Sequence, residues 1–286
     1  MKKVRILNPC AGHGDAVYLE NTHSDVESYI TQSVGDAERF VYERCLAEPE
    51  THFIVCGGDG TLNEVVNGIM CANAGEKAMF SVIPTGSGND FARNDLEKRK
   101  PHLIDLITVN GRYCVNMINI GFDCDVVTKT AGYKEKHKGS TAYIMGLVNT
   151  LFAHLGKNFK VKLTLEDGST VEVERELLLC AIANGRFCGG GFKAAPLAEL
   201  DDGLLDVLVV EKVSRAKFIS LVGDYRKGTF IDENGNLKKK FENVLQYRKC
   251  TSFELSGITE FCNDGEIVKA DSVSVGVAHC CIRFLA

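Results

Sequence analysis

Residues 52–68 read HFIVCGGDGTLNEVVNG. A short apolar run, His52 to Cys56, passes directly into Gly57, Gly58, Asp59 and Gly60, and then into apolar residues at helical spacing, Leu62, Val65, Val66 and Ile69. That order predicts a strand, a glycine turn and a helix. Thr61 and Glu64 stand as Thr-x-x-Glu, a capping box in which Thr61 caps the helix and Glu64 reaches back to its first free amides. Glycines have no Cβ, so backbone amides can lie against a bulky anion at a helix N-terminus that already favours negative charge. The turn is therefore read as a phosphate cradle. It is not a P-loop, because no Gly-Lys-Ser/Thr follows, and the chain contains no Gly-x-Gly-x-x-Gly. Asp59 would repel a bare phosphate, which makes sense when a divalent cation lies between the two charges. The plainer alternative is an ordinary corner with an Asp chosen for its turn propensity.

The 286 residues suffice for two ordinary domains. With 45% hydrophobic and 25% charged residues the composition is that of a soluble globular protein with a real core. A net charge of -5 argues against nucleic acid as a partner. The first residues lack the apolar stretch of a signal peptide, and no run is long enough for a transmembrane segment. Twelve cysteines lie scattered in apolar runs without Cys-x-x-Cys spacing, which points to reduced core thiols and a cytoplasmic setting. No His or Cys grouping has zinc spacing.

Val4 to Leu7 reads as a first strand, followed by Asn8, Pro9 and two glycines, Gly12 and Gly14. These form either a second phosphate-facing loop or simply a strand end. Tyr29 to Asp36 is another extended piece, and Ala37 to Leu46 a helix. Alternating strands and helices imply a parallel sheet with ligands at the carboxyl ends of its strands. Met79 to Pro84 is the next strand. It enters a second small turn, Thr85 to Arg93, where Asn89 or Asp90 can cap a following helix. On the functional alternative, Asp90 orients a hydroxyl or phosphate, and the two glycine turns converge with one carboxylate each on one cleft.

After about residue 105 the pattern becomes that of hairpins. Asp105 to Val115 folds around Asn110-Gly111, and Lys160 to Leu165 pairs with Thr170 to Val173. Further strands are expected at 177–184, 204–210, 251–256 and 267–277. Ser140 to Leu155 is a helix candidate that reads as core packing or as a membrane face. Before it, Lys134, Lys136 and Lys138 form a basic cluster, either solvated or a seat for anionic headgroups; the Lys238 to Lys240 run reads as solvated surface. Asp201-Asp202-Gly203 is ordinary turn chemistry or, with backbone carbonyls, an oxygen-ligand site for Mg2+. Asp264-Gly265-Glu266 alone reads as a tight turn with a surface carboxylate.

Together, Asn8-Pro9-x-x-Gly12, Gly57 to Glu64, Pro84 to Arg93, Asn119-x-Gly121-Phe122-Asp123, Gly189 to Gly191, Asp201 to Asp206 and Asp264-Gly265-Glu266 resemble the diacylglycerol kinase catalytic-domain family. In particular they resemble its small bacterial lipid kinases, related to diacylglycerol and sphingosine kinases. The resemblance implies a Rossmann-like, three-layer α/β nucleotide-binding domain over residues 1–110. It also implies an antiparallel β-sandwich domain over 111–277, with the tail, about 278–286, packing back on the first. It implies ATP contacts at Asn8, Pro9, Gly12, Thr31, Gly58, Asp59, Gly60, Thr61, Leu62, Asn63, Glu64 and Ser87. A structural Mg2+ is implied on the Asp202 side chain with the Glu199 and Leu204 carbonyls, and the proton acceptor is implied at Glu266. Asp59 and Asp90 complete the expected catalytic set. Where the bacterial members usually have Gly-Thr, this chain has Gly86-Ser87, as in sphingosine-kinase-like sequences.

The expectation is an ATP-dependent phosphotransferase acting on a lipid hydroxyl, most simply that of diacylglycerol, at a membrane surface with which the protein associates peripherally and transiently. A NAD kinase-like activity and a catalytically silent lipid-binding module are the alternatives. Monomer and homodimer both remain open.

Overall fold

The computed structural model describes residues 1–12, 26–94, 100–134, 146, 149–151 and 156–286. Lys136 and Lys138, Gly14, and most of the 140–155 helix candidate lie outside the described residues.

Four strands rich in β-branched and apolar residues, β1 (Lys2–Leu7), β2 (Glu27–Ile30), β3 (Thr51–Gly57) and β4 (Met79–Pro84), form a parallel sheet in the order β2-β1-β3-β4. Val4, Ile6, Phe53, Val55 and Phe80 are fully buried against helices α1 (Asp36–Ala47) and α2 (Asp59–Cys71). These helices present Val41, Cys45, Leu62, Val65, Val66 and Ile69 at the spacing the sequence predicts. The strand order reverses between β1 and β3. In open α/β sheets such a reversal opens a crevice at the carboxyl ends of the strands, here at Asn8 and Gly57.

The second half is antiparallel. β5 (His102–Val109) and β6 (Arg112–Cys114) form a hairpin in which Asn110 and Gly111 both have positive φ, 46° and 81°, as an Asn-Gly two-residue turn requires. β7 (Met117–Gly121) leads into helix α3 (Phe122–Lys134), followed by β8 (Lys157–Leu165), β9 (Thr170–Ala183), β10 (Leu205–Glu211), helix α4 (Arg215–Lys227) and β11 (Leu245–Ser256). The chain then runs through β12 (Glu260–Asn263), β13 (Glu266–Lys269) and β14 (Ser272–Phe284). β9 is one strand of 14 residues where two were expected. Its first half pairs with β8 and its second half with β7 and β10, so it passes from one layer of the sandwich to the other. β11 does the same between β10 and β8. The space they enclose is filled by Phe159, Val161, Ile182, Val207, Phe253 and Val275. The expected strand over 267–277 is instead two, β13 and β14, broken at Ala270 and Asp271.

β14 lies antiparallel to β11 and β5 and then parallel to β4, at Arg283 with Met79 and Phe284 with Phe80. A single hydrogen-bonded sheet of 14 strands thus runs through both halves. Among the described residues no helix is long and apolar enough to cross a membrane, and all twelve cysteines are free thiols.

Candidate active site

At the switch point, β3 ends in Gly57 and α2 begins at Asp59 with Gly58 as its cap. The first intrahelical bond runs from Leu62 N–H to Gly58 O at 3.1 Å, so the helix turns its leading amides toward outside acceptors. Thr61 is not the cap. It lies inside the first turn and accepts a hydrogen bond from Asn8 Nδ2 at 2.8 Å, tying the β1 loop to the glycine turn. Glu64 does not fold back on its own helix either. Its two oxygens take the amides of Gly35 at 2.9 Å and Ala37 at 3.1 Å, so it caps α1, where Gly35 adopts φ 81°. The Thr-x-x-Glu spacing is real, but Gly58 starts the helix too early for it, and the neighbouring helix offers better-placed donors.

The second glycine turn is in contact with the first: a Cβ on Gly86 would overlap Gly58 Cα. The helix expected after Asn89 and Asp90 is a single 3-10 turn, Phe91–Arg93, without a side-chain cap. Its leading amides are taken by Asp59, whose Oδ2 accepts from Asp90 N and Oδ1 from Phe91 N, both at 3.2 Å. Asn89 instead clasps Gly86, accepting its amide at 2.9 Å and donating to its carbonyl at 2.7 Å. Asp90 is buried and points across to the second half. Its oxygens accept the amides of Gly190 at 2.9 Å and Gly191 at 2.8 Å, in a loop whose glycines, 189 to 191, all have positive φ. Burial pushes the Asp90 carboxyl up to about 6 against the pull of the Gly190 amide, and the charge of Asp59 adds to the rise. Burial raises Asp59 as well, offset by the amides it holds. The two carboxylates flank Gly88, where a Cβ would lie 3.0 Å from Asp59 Oδ2 and 3.5 Å from Asp90 Oδ2. Two carboxylates this close each disfavour the other's charge, and a hard divalent cation relieves both.

Glu266 reaches the same place from the far end of the chain: its Oε1 lies 3.2 Å from where a Cβ on Gly60 would be. The device that carries it there is Asp264, which reading the sequence left as turn chemistry. Asp264 and Gly265 have φ 46° and 91°, the turn between β12 and β13. The Asp264 carboxylate accepts the amides of Val115 at 2.7 Å and of Asn116 and Met117 at 3.0 Å, together with Asn63 Nδ2 at 2.8 Å from α2. The hairpin is therefore bolted to the helix that begins with the Gly57 to Gly60 turn. An Asp-Gly pair is so fully explained by a hairpin turn that nothing in the sequence marks its carboxylate as an anchor.

Of the residues implied to touch ATP, Asn8, Pro9, Gly58, Asp59, Gly60 and Thr61 gather at the switch point. Thr31 stands on the adjoining strand edge, its amide on Leu7 O at 2.9 Å, and Ser87 is exposed on the second turn. The side chains of Leu62, Asn63 and Glu64 are committed elsewhere: Leu62 to the core, Asn63 to Asp264 and Tyr113 O, Glu64 to α1. The implied Mg2+ ligands on the 199–204 loop meet a different partner. Asp202 is ion-paired with Lys249, which also lies 3.6 Å from Asp206, and Asp202 Oδ1 accepts the Leu204 amide at 3.0 Å. The one charged oxygen donor of that set is already compensated by an ammonium group, so the set as arranged does not fit a cation.

Residues 4–112 match the diacylglycerol kinase catalytic domain family, and residues 116–280, more than half of the chain, match the YegS C-terminal NAD kinase beta sandwich-like domain. Over 198 residues the chain is 34% identical to a protein of Pseudomonas syringae pv. tomato named "Probable lipid kinase YegS-like", covering 65% of this chain and 62% of that one. A relative of the same name from Pseudomonas fluorescens is 35% identical, covering 65% and 63%. The match therefore spans less than two thirds of these relatives. In fold, the chain is similar to a crystal structure of a diacylglycerol kinase from Bacillus anthracis, with TM-score 0.72 at 24% identity over 99% of this chain and 96% of that one. The two domain matches meet within a few residues of each other, and between them they take in the glycine turns, Asp90, Asp264 and Glu266: the chain belongs to the YegS-like diacylglycerol kinase family.

Proposed function

We propose that this protein transfers the γ-phosphate of ATP to a lipid hydroxyl, with Glu266 as proton acceptor. The observation that carries the reading is the placement of the Glu266 carboxylate over Gly60, at the amide-lined start of α2 and beside two carboxylates on Gly88. Phosphoryl transfer asks for positioning and charge neutralisation more than for covalent help. The leading amides of α2 and the Asn8 to Gly12 loop would hold the phosphates. A divalent cation bound with the nucleotide would supply charge neutralisation beside Asp59 and Asp90. Glu266, exposed on its hairpin, faces that position and is free to take the proton of an entering hydroxyl. The family kinship and the names of the relatives support a lipid as the acceptor. Diacylglycerol is the first substrate to test.

The experiment is transfer of radiolabelled phosphate from ATP to a panel in mixed micelles: diacylglycerol, monoacylglycerol, a sphingoid base, ceramide and a polyprenol. Labelled lipid is expected with the wild type. Glu266→Gln is expected to lower kcat by about 10² to 10⁴ with little change in the KM for ATP. Label in NAD and in no lipid would sink the reading, as would a Glu266→Gln variant that loses ATP binding while its chemistry is unchanged.

A further inference from the structure

Asp206 is the second residue of β10, and the β10–β11 register sets Lys249 directly opposite it. The Asp206 side chain is buried. Its Oδ1 accepts the Tyr247 hydroxyl at 2.6 Å, while its Oδ2 finds no hydrogen-bond donor among the described residues and faces the Lys249 ammonium group at 3.6 Å. Lys249 is also ion-paired with Asp202, on the loop that leads into β10. Burial pulls the Lys249 ammonium down, but the hydrogen bond to Asp202 and the charges of Asp206, Asp202 and Glu199 outweigh it and raise the group above its ordinary value. One ammonium thus serves three carboxylates. Burying a carboxylate without a compensating charge is costly, and an ammonium with three donors compensates it without the near-octahedral oxygen shell that Mg2+ demands.

The loop held in this way is the far end of a segment whose near end reaches the catalytic cleft. The amide of Arg186 goes to Asn94 Oδ1 at 2.7 Å, and its Nε donates to Ala198 O at 2.8 Å. Between those two points Gly190 and Gly191 give their amides to Asp90. Beyond them Leu200 O accepts the Asp105 amide and the Gly203 amide goes to Asp105 Oδ2, both at 2.6 Å. The ion pair with Lys249 then fastens the end of the segment to β11.

We propose that Lys249 is a positioning residue that stands in for a divalent cation: its ammonium group, shared by Asp202 and Asp206, fixes the 199–204 loop and with it the segment that seats Asp90, so this loop needs no metal ion of its own. None of this depends on the phosphoryl-transfer reading.

The test is thermal unfolding of the full chain without nucleotide, in EDTA and in about 10 mM MgCl2. Lys249→Met, similar in length but uncharged, leaves Asp202 and Asp206 uncompensated and is expected to lower the melting temperature in EDTA by about 3 to 6 °C. Mg2+ should restore most of that loss, because the exposed carboxylate pair then recruits an ion. The wild type, Lys249→Arg, which keeps the charge, and the double variant Lys249→Met/Asp202→Asn should each respond to Mg2+ by less than about 1 °C. A lysine that only packs would also lose stability on truncation, but without any response to Mg2+, and that result overturns the proposal. So does an equal response in the double variant, which places the ion elsewhere. A wild type that Mg2+ stabilises by several degrees overturns it as well, and this arm decides even where Lys249→Met does not fold. Since no arm measures phosphate transfer, failure of the kinase reading leaves each outcome intact.

Discussion

The residue on which most of the site depends is not one that does chemistry. Asp264 collects three backbone amides and the Asn63 amide group, so a single carboxylate joins β12, the β6–β7 connection and α2. An Asn at this position would turn an N–H group against one or more of those donors. Asp264→Asn is therefore expected to cost about 2 to 4 kcal/mol of stability in urea unfolding, from broken charge-assisted bonds and stranded amides. It should also lower kcat, because Glu266 two residues on loses its register over Gly60. A variant as stable as the wild type would remove Asp264 from the role described here. In the sequence, Asp59 and Asp90 could be singled out because each stands in a glycine turn after a strand. Asp264 could not, because the residue type that best makes the turn is also the one that anchors it.

At the scale of elements, the site is made by two glycine turns pressed together and a hairpin laid over them. Gly60 and Gly86 both lack a side chain for reasons of space, but the spaces differ. A Cβ on Gly60 would meet only Glu266 Oε1, the far end of a flexible side chain, whereas one on Gly86 would meet the backbone of Gly58. Gly60→Ala is accordingly expected to displace the carboxylate and lower kcat at least tenfold, about 1.4 kcal/mol in the barrier, while the melting temperature stays within about 2 °C. Gly86→Ala should lose both activity and stability, since two backbones must part. Calorimetry beside a phosphate-transfer assay separates the two outcomes. The strand, turn and helix of residues 52–71 were legible because period and punctuation agreed, and so were both glycine turns. The capping partners were not. Helix ends are satisfied by whichever group tertiary packing brings near, and Glu64 and Asp59 each serve an element other than their own.

For the whole molecule, the half-and-half division into a parallel sheet and antiparallel hairpins was legible from the change in pattern after residue 105. The continuity of the sheet was not, because a strand carries no mark of which neighbour it will find. The buried charges predict how stability follows pH. Burial pushes Asp90, Asp123 and Asp206 up to about 6, so the folded state holds protons that the unfolded chain has already released above about pH 4. Stability from these groups is present below about pH 4 and is lost as pH rises to about 6, by about 1 to 3 kcal/mol for each carboxyl. Buried His52 works the other way: burial lowers it to about 4, so its contribution rises over the same window. Three carboxyls outweigh one imidazole, and unfolding free energy should fall between pH 4.5 and 6.5. Asp123→Asn should flatten that slope and gain stability at pH 8, with the gain vanishing toward pH 4. Parallel pH profiles for the variant and the wild type would contradict it.

β14 gives the molecule an order of assembly. Residues 283 and 284 pair with Met79 and Phe80, so the open edge of the first sheet is sealed by residues synthesised about two hundred positions later. As the chain emerges, the first half has every strand but that one, and β4 waits with unpaired amides and carbonyls while the whole sandwich is made. The last strand then docks on β11, β5 and β4, at high sequence separation and hence slowly. The glycine turns of the first half therefore stand for a time without the Glu266 carboxylate, and the arrangement over Gly60 is complete only when the whole chain has folded.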